Sequence, residues 1–272
     1  MNTKAIYQPQ GKAREYSRWA CNFYVGCSNG CSYCYNKRGV LGSVAGGDRA
    51  RLKSCFKDEN DAFARFLDEL SRFRDAIIRD GGLFFSFTTD PCLPETLDLT
   101  LMAVAAATGM GVPCTILTKR ADWILEDPSW YDSLRLANKV DGLLTIGFTL
   151  TGCDDLEKKA STNIERIYAL ERLYDAGVRT FVSVEPVVDF YRAICVIGSS
   201  LPWCDHYKIG LVSGDAHAYD RYRMPDELED FVRKVRLMID GAESVRPGRT
   251  VYWKKSVIDA LGHDIPAGPI ER

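Results

Sequence analysis

Three cysteines at close, uneven spacing are the residues in this sequence best suited to chemistry. They lie in GCSNGCSYCYN, Gly26–Asn36, where Cys27, Cys31 and Cys34 follow the pattern C-x3-C-x2-C. Gly26 and Gly30 permit tight turns, so three thiolates are able to converge from one short loop. Thiolates are the usual ligands of iron–sulfur clusters. A cubane held by three of them keeps one iron free of protein ligands, open to a substrate or cofactor. Other readings compete. A structural zinc site asks for four ligands in two close pairs, and neither a second pair nor a nearby histidine is apparent. A four-cysteine electron carrier would recruit Cys21, six residues earlier, and the blandest alternative is a set of simple buried or exposed thiols; spacing and barrel context favour the three-ligand cluster.

The segments around this loop decide how it is held. Strand-like stretches at Trp19–Val25, Leu83–Thr88, Val112–Thr118, Leu143–Leu150, Arg179–Val184 and Tyr207–Val212 are short, rich in β-branched and aromatic residues, and bounded by Gly, Pro or Asp. Helical patterns lie between them. Phe63, Phe66, Leu67, Leu70, Phe73 and Ile77 mark one apolar face. Thr162 and Glu165 form a capping box before Ile164–Tyr174, which Gly177 stops. Pro225 opens a helix bearing Leu228, Phe231, Val232 and Val235, and another starts near Pro94 and carries Leu101–Ala107. Alternation of this kind predicts an α/β fold with a mainly parallel sheet, partly closed into a barrel or left open and doubly wound. Chemistry is then expected at the C-terminal ends of the strands.

Bulk properties restrict the class. With 272 residues, 46% hydrophobic and 26% charged, the chain has the composition of a folded globular protein of one large domain or two small ones. No repeat or linker divides it, so it is read as one domain, 1–272, with 241–272 as a C-terminal extension packed on the barrel. The net charge of −2 gives no global field toward nucleic acid or anionic membrane. No apolar run approaches the roughly 18 residues of a membrane span, and the polar N-terminus lacks a signal-peptide core. The expected location is therefore cytoplasmic, where thiols stay reduced. Ten cysteines then call for roles as ligands, reactive groups or buried hydrophobes.

The cysteine loop after the first strand of a parallel α/β array resembles the signature of the radical S-adenosylmethionine (SAM) superfamily. That resemblance implies a partial (β/α)6 barrel and a 4Fe–4S cluster on Cys27, Cys31 and Cys34, whose open iron binds the methionine moiety of SAM. It also implies reductive cleavage of SAM to methionine and a 5′-deoxyadenosyl radical that abstracts a substrate hydrogen, fed by a low-potential donor such as flavodoxin or ferredoxin. CSYCY, with Tyr33 and Tyr35, is similar to the spore photoproduct lyase-like branch. The resemblance implies Tyr33 near the adenine and Tyr35 near SAM or the substrate radical. FFSFTTDPCLPE, Phe84–Glu95, resembles the branch's Ser/Thr-Asp-Pro stretch. Thr89 and Asp90 would there meet the methionine ammonium, although Asp-Pro is also a good turn. Lys119 in ILTKR matches a SAM-contacting lysine and suits the methionine carboxylate; with Arg120 it equally makes a solvated pair. Thr149 resembles a polar SAM contact. Glu185, at the fifth strand end, would bind ribose hydroxyls or orient substrate, and a Glu-Pro turn explains it nearly as well.

One departure bears on the reaction. Photoproduct lyases place a hydrogen-donating cysteine two residues before the Ser/Thr-Asp pair, and Phe87 stands there instead. Cys92 is the nearby thiol to test for radical quenching. The branch favours a nucleic-acid or nucleotide substrate. A peptide-modifying radical SAM enzyme, a non-catalytic Fe–S carrier and a structural zinc protein are the alternatives. Arg246, Arg249, Lys254 and Lys255 around Tyr252 and Trp253 would hold phosphate and stack a base, or else form the solvated basic edge of a last strand or helix.

Overall fold

Residues 4–127, 129–130, 142–212, 225–242 and 248–265 are described by a computed structural model of the chain. Its centre is a mixed α/β arrangement around a mostly parallel sheet of eight strands. In chain order these are β1 (Ile6–Tyr7), β2 (Ala20–Cys21), β5 (Leu83–Phe85), β6 (Cys114–Thr118), β7 (Leu144–Thr149), β8 (Arg179–Val187), β9 (His206–Leu211) and β10 (Thr250–Trp253). They lie side by side in that same order; β1 pairs antiparallel with β2, and every later neighbour is parallel. A small antiparallel pair, β3 (Tyr24–Val25) and β4 (Arg51–Leu52), stands apart.

The expected first strand, Trp19–Val25, is thus two strands in different sheets. Asn22 stands at the break. Its backbone N–H still bonds the Ala5 carbonyl at 3.0 Å, while its side-chain oxygen accepts from the Phe87 amide at 2.9 Å and its side-chain nitrogen donates to the Tyr7 hydroxyl at 2.8 Å. Past it the chain leaves the main sheet.

Helices α1 (Gly39–Val44), α2 (Glu59–Arg79), α3 (Leu97–Gly109), α4 (Asp122–Leu125), α5 (Asn163–Asp175), α6 (Phe190–Ser200), α7 (Pro225–Gly241) and α8 (Lys255–Leu261) connect or flank the strands. The predicted capping box is present, Thr162 and Glu165 satisfying each other's backbone N–H groups. Alternation along the strands sorts the side chains. Leu83, Phe85, Ile116, Ile146, Phe148, Val182, Val184, Tyr207 and Ile209 join one core cluster with Phe66, Leu70, Ala103, Leu170, Ile197, Phe231 and Val235 of α2, α3, α5, α6 and α7. A separate, smaller cluster on the opposite face contains Ala20, Phe84 and Phe181, with Tyr7, Tyr16, Phe87 and Leu117 packed against it. Gly147 makes this packing possible, because a Cβ there would stand 2.2 Å from the Phe181 ring. The described long helices therefore cover one face and leave the other to aromatic and polar side chains.

The N-terminal segment lies across that second face. After a 3-10 turn at Gly11–Glu15, Tyr16 reaches β8, its hydroxyl bonding to Ser183 and Glu185. Lys208 of β9 donates to the carbonyls of Glu15 and Tyr16 at 3.1 and 3.3 Å, and the Lys255 amide donates to the Glu15 carboxylate at 2.8 Å. Chain from beside β2 thus touches β8, β9 and the end of β10. The basic tail is also placed. Thr250–Trp253 is the last parallel strand, and both Arg249 and Lys254 are buried, so neither the phosphate-binding nor the solvated-edge reading describes those two residues. Arg249 donates to the carbonyls of Cys204 and Leu201, and Lys254 to Glu185. Lys255 is exposed and pairs with Asp259 at 2.6 Å. Arg246 lies outside the described residues.

His206, at the start of β9, carries a testable consequence. Burial, and then the charge of Lys208, lower its pKa from 6.5 to about 4. Between those values the unfolded chain binds a proton that the folded chain refuses. Stability is therefore fully present above pH 6.5 and declines as pH falls toward 4, by up to about 3 kcal/mol. Denaturant melts of His206→Gln across this range should show a flatter pH dependence than wild type; an identical slope would absolve His206.

Candidate active site

The cysteine loop follows β3 and is stapled from three sides. Gly26 has φ +82°, and a Cβ there would meet the Arg49 carbonyl at 2.3 Å, so only glycine lets the loop lie against the 45–49 segment. Gly26 and Cys27 donate backbone bonds to the carbonyls of Ala45 and Gly47, at 2.9 and 3.1 Å. On its far side the Ser32 amide donates to the Leu156 carbonyl, and the Lys159 amide donates to Asn29. The third staple is Asp90. Its carboxylate accepts from Asn29 Nδ2 at 2.8 Å, the Lys119 amide at 2.8 Å, Thr118 Oγ1 at 2.6 Å and the Cys92 amide at 3.0 Å. Four donors match the acceptor capacity of a carboxylate. Asp90 therefore clasps the cysteine loop, the turn after β5 and the end of β6 together, and its oxygens are occupied by protein donors rather than open to an ammonium.

Cys31 is buried, and Cys27 and Cys34 are half-buried. Burial pushes the Cys27 thiol up to about 12, with Asp90 adding to the effect. Burial also raises Cys31, against the opposing charge of Lys119. Among the described residues no three His, Cys, Asp or Glu side chains are grouped to hold a metal ion. Cys21, the candidate fourth ligand, is fully buried in the helix-covered core beside Lys53 and Cys114, turned away from the loop.

Behind the loop lies a charged cluster that the sequence does not announce. Glu157 is fully buried and receives the Tyr33 hydroxyl; Arg166 Nη1 stands 2.8 Å from it, and Lys119 Nζ 3.6 Å. Arg166 is itself wholly inaccessible, on the inward face of α5, and donates to the Thr149 carbonyl at 2.7 Å. Burial alone would raise the Glu157 pKa, but Lys119 and Arg166 outweigh it and hold the carboxyl below its usual range. Likewise burial would lower the Lys119 pKa, but its acidic neighbours Cys31 and Glu157 outweigh that and hold it above its usual range. Its ammonium sits 5.2 Å above the Tyr33 ring. Sequence reasoning missed Glu157 because it lies in the charged run DDLEKK. Arg166 carried one signal, its place beside Ile167 and Leu170 on the apolar stripe of α5.

The other expected residues separate into those at the rim and those withdrawn from it. Thr89, in the turn that follows β5, and Thr149, the last residue of β7, are buried, near Asp90 and Arg166 respectively. Tyr35 is 47% exposed, with its hydroxyl on the Phe87 carbonyl, while Tyr33 is buried. The Phe87 ring stacks on Phe84 with centroids 4.5 Å apart, as part of the aromatic cluster. Cys92 corrects the expectation placed on it. It is sealed in the helix-covered core near Thr118, on the face opposite the aromatic cluster. Glu185 is gripped by Lys254 through both oxygens, at 2.8 and 2.7 Å, and by Tyr16. That grip occupies the groups expected to meet ribose.

No family model matches the sequence, and no curated protein matches it. Solved structures do. A variant of spore photoproduct lyase is 13% identical with TM-score 0.64, covering 90% of this chain and 79% of that one. A second variant, with bound AdoMet and dinucleoside spore photoproduct, is 15% identical with TM-score 0.62, over the same shares. SuiB from Streptococcus suis bound to S-adenosylmethionine is 12% identical with TM-score 0.50, covering 87% of this chain and 51% of that one. The chain therefore shares their fold.

The Asp90 clasp yields a direct test. Asp90→Asn sets an amide NH2 against two donors whichever way it faces, and should cost about 2–4 kcal/mol of unfolding free energy in urea melts. A loss below about 0.5 kcal/mol would show that the loop does not depend on it.

Proposed function

We propose that this chain is a radical SAM enzyme built on a partial (β/α)6 barrel, with Cys27, Cys31 and Cys34 holding a 4Fe–4S cluster. One observation carries the reading: three thiols on a single clasped loop stand at the C-terminal rim of a parallel sheet, with Lys119 and Arg166 close enough to act on Cys31. The donor set fits: the loop carries three thiols, Cys21 and Cys92 lie in the helix-covered core, and three thiolates would leave one iron open. The barrel reading is supported by the one-sided helix cover and by the N-terminal segment, which spans from β2 to β8–β10. The bound ligand of the similar structures points to the same cofactor.

When bound, the cluster and SAM supply an electron and a 5′-deoxyadenosyl radical that takes a substrate hydrogen. The chain's own residues bind and orient. Lys119 offers its ammonium to the methionine carboxylate. Thr89, beside the saturated Asp90, is the side chain left for the methionine ammonium, and Asp90 acts by fixing the loop. Tyr33 presents a ring face toward the adenine, and Thr149 closes the β7 side. Tyr35, accessible where Tyr33 is not, faces the substrate. Glu185, with Lys254 and Tyr16, builds the far wall. A low-potential donor such as flavodoxin or ferredoxin would deliver the electron. Carried over from the dinucleoside bound to the similar lyase variant, the substrate class is nucleic acid or nucleotide. Phe87 and the sealed Cys92 argue that thymine-dimer repair itself is not the reaction.

Anaerobic reconstitution with iron and sulfide should load about four irons per chain, and dithionite with SAM should release 5′-deoxyadenosine. Alanine at Cys27, Cys31 or Cys34 should abolish both, while Cys21→Ala should retain the iron. Zinc retained in place of iron, or a cluster lost in Cys21→Ala, would overturn the assignment.

A further inference from the structure

The Glu157–Arg166 pair needs an explanation beyond stability. Burying a carboxylate and a guanidinium costs several kcal/mol per ion, which mutual attraction repays only with good geometry, so such pairs are weak stabilisers. Here the geometry is directed elsewhere. Glu157 gathers the Tyr33 hydroxyl, Arg166 and Lys119 around one carboxylate. Two of these three, Tyr33 and Lys119, are side chains that the proposed function turns toward SAM. The third is anchored: Arg166 donates to the Thr149 carbonyl at 2.7 Å, which fixes the pair to the end of β7.

The cluster also keeps donors in reserve. Half-buried Lys119 and the wholly inaccessible Arg166 share the Glu157 carboxylate, and Asp90 also acts on Lys119. Nε and Nη2 of the fully inaccessible Arg166 have no hydrogen-bond partner among the described residues. The Lys119 contact, at 3.6 Å, is longer than an ordinary charged hydrogen bond. Its ammonium is thus steered by Glu157 and still has donors for a second anion. A lysine otherwise carries a flexible four-carbon stem whose ordering opposes binding.

We propose that Glu157, paired with Arg166, is a positioning residue that sets Lys119 and Tyr33 in place before SAM arrives, with donors of the Lys119 ammonium left over for the methionine carboxylate. This rests on the radical SAM reading. Holding a rotamer-rich side chain ready in this way is worth up to about tenfold in affinity.

The test is a mutant cycle read as SAM dissociation constants on the reconstituted protein, with iron content and thermal midpoint recorded for every variant. Lys119→Ala alone should weaken SAM about tenfold. The neutral pair Glu157→Gln with Arg166→Gln removes both charges without stranding either one. It should also weaken SAM about tenfold at unchanged iron content, and adding Lys119→Ala to it should cost no more than about twofold further. If Lys119→Ala costs the same factor in both backgrounds, the pair is structural only and the proposal falls. Should the neutral pair not fold, Glu157→Asp preserves the charge pairing with Arg166 while drawing back from Lys119, and the same loss of coupling is expected. Wild-type protein that loads the cluster yet binds no SAM would overturn the underlying reading itself; SAM binding with additive losses would overturn the positioning role alone.

Discussion

The carboxylate of Asp90 joins three parts of the chain that are far apart in sequence. Asn29 from the cysteine loop, Thr118 and Lys119 from the end of β6, and Cys92 from its own turn all donate to it. A buried carboxylate without donors would be costly, and donors without it would be left unsatisfied. Each partner therefore holds the others in place. The position of the three thiols relative to the sheet follows from this bond set and from the backbone staples at Gly26, Cys27 and Ser32.

Around that clasp the polar residues form two layers with different partners. On the β6–β7 side, Glu157 sits among cations and a tyrosine hydroxyl close to Cys31. On the β8–β10 side, Glu185 is locked by Lys254 and Tyr16, and Lys254 lies 4.4 Å above the Tyr16 ring. The neighbouring Lys208 is lowered to about 8 by burial and by the charge of Lys254. Between these layers lie Phe84, Phe87, Phe181 and Tyr16. This face therefore combines an apolar middle with paired charges at its edges, the mix of surfaces common in ligand-binding pockets.

The division between the sheet's two faces gives the fold this arrangement. Residues of one parity on β5 to β9 pack under the helices and supply most of the core. Those of the other parity carry the aromatic rings and, toward the strand ends, Thr149, Ser183, Glu185 and Lys208. The N-terminal segment spans this second face, so its Tyr16 belongs to the interior even though it lies outside every strand.

The sequence by itself determined the thiol triad, the alternation of strands and helices, the capping box at Thr162 and the helix opened by Pro225, because these depend on local spacing and backbone preference. It also identified Thr89, Asp90, Lys119 and Thr149 as strand-end residues, since position after an apolar run is legible locally. Only the tertiary structure decided what they face. Asp90 turned out to be saturated by protein donors, Cys92 to lie on the wrong side of the sheet, and Lys254 to be an interior partner of Glu185, 69 residues away in sequence. Glu157 looks like an ordinary surface charge in one dimension, and Arg166 is marked only by its place on the apolar stripe of α5. Their pairing exists because α5 lays Arg166 against the end of β7 just where the 150–162 loop returns beside the cysteines. Local sequence fixes which groups are present, whereas long-range packing fixes which desolvated charges meet, and that meeting sets their chemistry.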